Sequence, residues 1–264
     1  MLRTLNRQLH TLGNAVMRRL SGGVDFLLFC LRTFALLLER RVYHPIVLEN
    51  IIRQLYFTAF QPLPVFALYT GILSLSLVGI IVSLSGSYGL ENYRLSLIGG
   101  FLMAELLPFM SALFVALRSG SAINTEMALM VLTRENQALE ANGVEVAVFE
   151  WLPRLFGVSL SVVVLTLFAD ILAALAGYLV LYDWRFGHWQ SYLGELAAAF
   201  DPIQLVLVVV KAVLFGMWIV LIPIHTGQGA HSLPLVPVMV LKGMMRVFLA
   251  LLMTEVVLLL LSYL

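Results

Sequence analysis

Apolar residues run with little polar interruption through five stretches of this chain, at 63–84, 95–117, 155–182, 202–224 and 240–263. A helix needs ~20 mainly apolar residues to cross a bilayer, and it satisfies its backbone polar groups internally. The pattern therefore predicts an all-α polytopic membrane protein with five transmembrane helices, residues 63–264 forming the membrane domain. The first stretch carries no charge. The second contains Glu105 and Pro108, the third Asp170, the fourth Lys211, and the fifth Lys242 and Arg246 at its start with Glu255 further in.

Residues 1–62 read differently. An apolar run at 24–38 is short and interrupted by Arg32, with Arg3, Arg7, Arg18 and Arg19 before it and Arg40, Arg41 and Arg53 after it. A basic amphipathic segment of this kind lies in the membrane interface more readily than it spans. The expectation is an N-terminal cytoplasmic or interfacial helical region. A signal peptide is the competing reading, but the charged region is long and no small-residue cleavage site follows the apolar run. Between the second and third spans, 118–154 places Met127, Met130, Val131, Ala138 and Leu139 at helical spacing. That predicts a short amphipathic helix, either docking a soluble partner or resting on the membrane.

The basic residues decide orientation. With the N-terminus inside, the inner regions hold Arg118, Arg134, Arg154, Lys242, Arg246 and all the N-terminal arginines, and the outer loops hold only Arg94 and Arg185. Five spans then put the C-terminus outside. Trp184 and Trp189, in the outer loop at 183–201, suit the interface.

Composition supports lipid as the solvent. The chain of 264 residues is 61% hydrophobic and 12% charged, where a soluble domain carries about 25% charged residues; its mean hydropathy is +0.97. A net charge of +1 with no basic face argues against nucleic acid. The single cysteine, Cys30, excludes an intrachain disulfide. No G-x-x-x-x-G-K-S/T motif is present for nucleotide binding, and no nucleophilic or zinc-protease arrangement appears. His225 and His231 flank the sequence TGQGA without nearby cysteine or carboxylate, a poor metal site. Gly71, Ser74, Ser76 and Gly79 give the first span a small-residue face suited to helix packing.

Candidate chemistry lies with the intramembrane charges. Glu105 is about ten residues into its span, ~15 Å deep and close to mid-bilayer, with Lys211 at similar depth. A charge there costs ~2.5–3.5 kcal/mol on insertion scales, so such groups face the bundle interior and pair. Lys211 is the natural partner of Glu105, Asp170 or Glu255. Such pairs either lock helices together or line a cavity, and Pro108 adds local irregularity by removing a backbone donor.

These residues carry a family resemblance. The run AELLPFMSALFVALRSGSAINTEMALM, then QALEANGVE and WLPR, resembles the signature of the MlaE/YrbE permeases, membrane subunits of ABC transporters that work with MCE proteins on phospholipids and related lipids. The matching positions are Glu105, Leu106 and Pro108; Ala116, Arg118, Gly120, Ser121 and Ala122; Glu126 and Met130; Ala138, Leu139 and Gly143; and Pro153 with Arg154. RQLY at 53–56, Asp170, Lys211 and Glu255 also match. The chain departs at Ala104, where the family has arginine, at Leu107 and Leu117, where it has glycine, and at Arg134 and Glu135, where it has a Glu-Gln pair. The stretch SLPLVPVMVLKG before the last span also differs.

The resemblance implies a bacterial inner-membrane permease with no catalytic residue or cofactor of its own. ATP and Mg would belong to a partner ABC ATPase. Two copies would enclose a lipid cavity lined by the first, second and fifth spans, below a periplasmic MCE-domain protein. Arg118, Gly120, Ser121, Glu126, Met130, Arg134, Glu135 and Arg154 would couple to the ATPase, through a cytoplasmic helix around 121–139 entered by a tight turn at 119–122. Glu105, Pro108, Asp170, Lys211 and Glu255 would line the cavity. Two other classes remain open at this point: an ion-coupled transporter or channel using the buried charges as a relay, and a scaffold with no cavity.

Overall fold

A computed structural model describes residues 23–36, 45–182, 186–199 and 202–262. The arginines at 3, 7, 18, 19, 40, 41 and 185 and the tryptophan at 184 lie outside these residues. Every regular element among the described residues is helical. We number them α1 (23–36), α2 (Pro45–Leu55), α3 (Leu63–Ser87), α4 (Glu91–Leu132), α5 (Glu135–Ala141), α6 (Ala147–Tyr182), α7 (Trp189–Ala199), α8 (Pro202–Gln228) and α9 (Val236–Ser262). Helices α3, α4, α6, α8 and α9 are the five long and apolar enough to span a membrane.

Local sequence sets the ends of these helices. At α3, Pro64 sits in the first turn, where its missing N–H has no helical acceptor to lose. Its far end closes on Gly89, at φ +69°. There the Leu90 N–H donates to the Ser85 carbonyl at 2.8 Å and the Gly89 N–H to the Gly86 carbonyl at 3.5 Å, the paired bonds of a glycine-terminated helix. Helix α5 ends the same way on Gly143, at φ +77°, with the Val144 N–H on the Leu139 carbonyl at 3.0 Å.

Helix α6 is the central post, packed against α2, α3, α4 and α8. Glycines admit its neighbours: a Cβ at Gly157 would meet Gln54 of α2 at 2.7 Å, and one at Gly216 of α8 would collide with the backbone of Ser159. Gly177 leaves room for the hydroxyl of Tyr192, which donates to the Ala174 carbonyl at 2.9 Å and ties α7 to α6. Burial, with the nearby Tyr182 adding to it, pushes the Tyr192 phenol up to about 12. Trp189 packs on Tyr178 with ring centroids 4.9 Å apart, so it serves this aromatic cluster. On the other side of the molecule, α1 lays Phe26 and Phe29 against His225, Trp218 and Trp151.

The structure corrects one sequence expectation outright. Residues 119–122 make no tight turn: Gly120 and Ser121 hold ordinary right-handed helical angles, and α4 runs on to Leu132. At ~1.5 Å per residue, its 42 residues span roughly twice the ~30 Å hydrocarbon thickness. The small residues serve packing instead, since a Cβ on Gly120 would lie 3.3 Å from Ile219 and 3.4 Å from Met244. The chain turns further on, at Arg134, whose φ of 60° breaks the helix before α5.

Candidate functional site

The geometry of the site starts from a backbone defect. Among the described residues four segments carry a wide turn in which an N–H reaches the carbonyl five residues back: Leu107 to Leu102 and Ser121 to Ala116 in α4, Gln61 to Tyr56 at 2.9 Å before α3, and Leu152 to Ala147 at the start of α6. Such turns cluster at functional positions in helices. Glu105 lies within the first and Arg118 within the second. Pro108 deepens the first defect, because its missing N–H leaves the Ala104 carbonyl without an α-helical donor.

Lys211 of α8 fills that vacancy. Its ammonium, on a residue only 3% exposed, donates to the Ala104 carbonyl at 3.3 Å, to Glu105 Oε2 in a close ion pair, and to Glu255 Oε1 at 3.3 Å. One cation therefore joins α4, α8 and α9, and the irregularity at Pro108 supplies its third acceptor. Ser96, Glu105, Gln204 and Lys211 are polar positions on a cavity of about 430 Å³ whose walls are otherwise mainly apolar, among them Leu207 and Leu258. The cavity lies between α4, α8 and α9. Within one chain the first span contributes none of its lining.

Asp170 does not join this group. Its Oδ1 is buried without a hydrogen-bond partner among the described residues, and Lys211 is satisfied elsewhere. Of the three acids available to the lysine, the structure selects Glu105 and Glu255.

At the other end of α4 the remaining candidates separate into two groups. Arg118 donates to the Phe57 carbonyl at 2.5 Å and to Gln61 Oε1 at 2.9 Å, pinning the junction of α2 and α3. Arg154, at the start of α6, bridges Glu126 at 3.2 Å and Glu150 at 2.9 Å. Ser121 turns its hydroxyl back to the carbonyls of Leu117 and Arg118, at 2.5 and 3.2 Å. Gly120 and Met130 are buried. Arg134 and Glu135 are exposed at the entry to α5. The candidates thus divide into a set tied down by hydrogen bonds, ion pairs or burial along α4 and the start of α6, in which Arg118 and Glu126 are nonetheless exposed, and the exposed pair Arg134 and Glu135 at the break.

Sequence reasoning missed Ala104, Ser96 and Gln204. Pro108 was the available signal for Ala104, because a proline four residues on announces a free carbonyl. Nothing in a lone Ser or Gln announced the other two.

Comparison with known proteins agrees with the architecture. The family described as Permease MlaE matches residues 51–261. A probable ABC transporter permease protein of Rickettsia prowazekii (strain Madrid E) is 31% identical over 189 residues, covering 69% of this chain and 71% of that protein. Its counterparts in Rickettsia felis and Rickettsia bellii are 30% and 28% identical over the same shares.

Proposed function

The chain belongs to the MlaE permease family of ABC transporter membrane proteins, and from that premise we propose that it carries phospholipids or related lipids between the bacterial inner membrane and a periplasmic MCE-domain protein. The observation that carries this reading is the cavity of about 430 Å³ with a neutralising charge cluster at one wall. Its volume falls in the range of about 300–1,000 Å³ typical of small-molecule sites, and its largely apolar walls suit part of a lipid.

Energy comes from a partner ATPase, since the sequence holds no phosphate-binding loop. Helix α5 is the surface on which that ATPase acts. It is short, its residues are exposed or half-buried, and it hangs from α4, whose opposite half lines the cavity from Ser96 to Glu105. The coupling element is thus Glu135–Ala141 together with the stretch of α4 that leads into it. Force applied at α5 passes through Glu126 and Arg154 to α6, and along α4 to the Lys211 cluster. A second copy of the chain packs on α9, where only 11% of the most apolar window is buried within one chain.

Purification of the chain from its native membrane, with subunits identified by mass and lipids by extraction, tests the reading. Recovery of a nucleotide-hydrolysing subunit and stoichiometric lipid is the expected result. Uptake driven by an ion gradient, with no ATPase bound, would replace it with an ion-coupled transporter.

A further inference from the structure

The hydrogen-bond balance of the cavity constrains the chemistry of what enters it. Among the described residues, Lys211 is the only cationic one lining the cavity. An ammonium has three N–H donors, and all three are taken, by the Ala104 carbonyl, Glu105 and Glu255. Two carboxylates face that one ammonium, so no positive charge is left over for an anion.

Acceptors, by contrast, are in excess. A carboxylate offers only acceptor positions when ionised. Glu255 uses Oε1 on Lys211 and lies beside Glu105, behind the cavity wall and not on it, so it adds negative charge to the cluster but no acceptor to the lining. Gln204, on the cavity wall, holds a buried Oε1 with no partner. Glu105 lines the cavity with a side chain 20% exposed. A phosphate brought here would find no free cation and would face the Glu105 carboxylate and the orphan Gln204 Oε1, with only the neutral Ser96 hydroxyl and Gln204 amide as donors, and burying an unpaired charge is strongly unfavourable. A hydroxyl or a primary ammonium would meet the unmet demand.

We propose that this cavity admits its lipid through a hydrogen-bond donor, a hydroxyl or an ammonium, and holds any phosphate group away from the Lys211 cluster. The inference rests on the lipid-permease reading and narrows its substrate class. The donor group sits between Glu105 and Gln204, and the apolar remainder lies against Leu207 and Leu258.

The test is competitive binding to the purified full-length chain, read by native mass spectrometry, with four lipids of identical acyl chains. Phosphatidylethanolamine carries an ammonium donor with a phosphate, and diacylglycerol a hydroxyl without one. Phosphatidylcholine and phosphatidylmethanol keep the phosphate and have no donor. We expect both donor lipids to outcompete both others by roughly tenfold, the value of one hydrogen bond to a charged acceptor. Comparing ethanolamine with choline isolates the ammonium, and diacylglycerol isolates the hydroxyl. Ser96→Arg, at an exposed lining position, adds a surplus cation and is expected to raise phosphatidylmethanol binding selectively. Preference of the unmodified chain for phosphatidylmethanol, or equal binding of all four, overturns the proposal and leaves lipid transport standing. Binding of none of them overturns the lipid reading as well.

Discussion

An ammonium whose three N–H groups are all engaged, buried between two carboxylates, cannot be removed alone without leaving both acids uncompensated. Breaking a buried pair in this way costs on the order of 3–5 kcal/mol, whereas replacing the whole set with neutral groups is often close to neutral. Lys211→Met is therefore expected to lower the thermal unfolding midpoint sharply in detergent, and Glu105→Gln with Glu255→Gln in the same chain to restore most of it. Asp170→Asn breaks no ion pair among the described residues and is expected to shift the midpoint far less. Equal losses from Lys211→Met and Asp170→Asn would show that the cluster is not the locking element. How deep each charge lies could be counted from the sequence, which is why all four groups stood out. Which side of its helix each one faces depends on helix rotation within the bundle, and that choice separates Asp170 from Glu255.

Helix α4 shows how the same residues support two local readings. Ser-Gly-Ser-Ala suits a turn by composition, yet it suits close helix packing equally well, and only the neighbours decide. Gly120 faces Ile219 and Met244, and further along, Asn124 is wedged where a Cβ on Gly243 would strike its amide nitrogen and one on Gly227 would come within 3.0 Å of its carbonyl. Gly243→Ala is accordingly expected to cost about 1–3 kcal/mol by overpacking the α4–α9 crossing, measured as a fall in unfolding midpoint. Gly71→Ala, in α3 with open space around it, serves as the control. Glu126→Lys tests the coupling stretch of α4 in a different way. Glu126 is 56% exposed, so its bridge to Arg154 is worth less than ~1 kcal/mol and the variant should fold. Loss of lipid-stimulated ATP hydrolysis in a folded, membrane-inserted variant is the expected outcome, and unchanged stimulation would remove Glu126 from the coupling path. Arg118→Glu is less clean, because it also releases the Phe57 carbonyl and Gln61 at the α2–α3 junction.

At the scale of the whole molecule, five spans were legible because lipid imposes a length on every crossing helix, and length is written directly in the run of apolar residues. The extension of α4 beyond that length was not, since residues such as Ile123, Met127 and Ala128 are buried by other helices rather than by lipid. The strong bias of Lys and Arg toward one set of loops makes orientation testable on the intact protein. Tyr88, 75% exposed at the turn between α3 and α4, and Glu140, exposed on α5, lie at opposite ends of spans and so on opposite sides of the membrane. Cys30, the native cysteine, is half-buried, and burial pushes its thiol up, which slows reaction because the thiolate is the nucleophile. In a Cys30→Ala background, Tyr88→Cys is expected to react with a membrane-impermeant maleimide from the periplasmic side, and Glu140→Cys only after the inner membrane is opened. The reverse pattern would invert the protein and move α5 away from any cytoplasmic ATPase, so this single labelling pair decides whether the proposed coupling surface faces its source of energy.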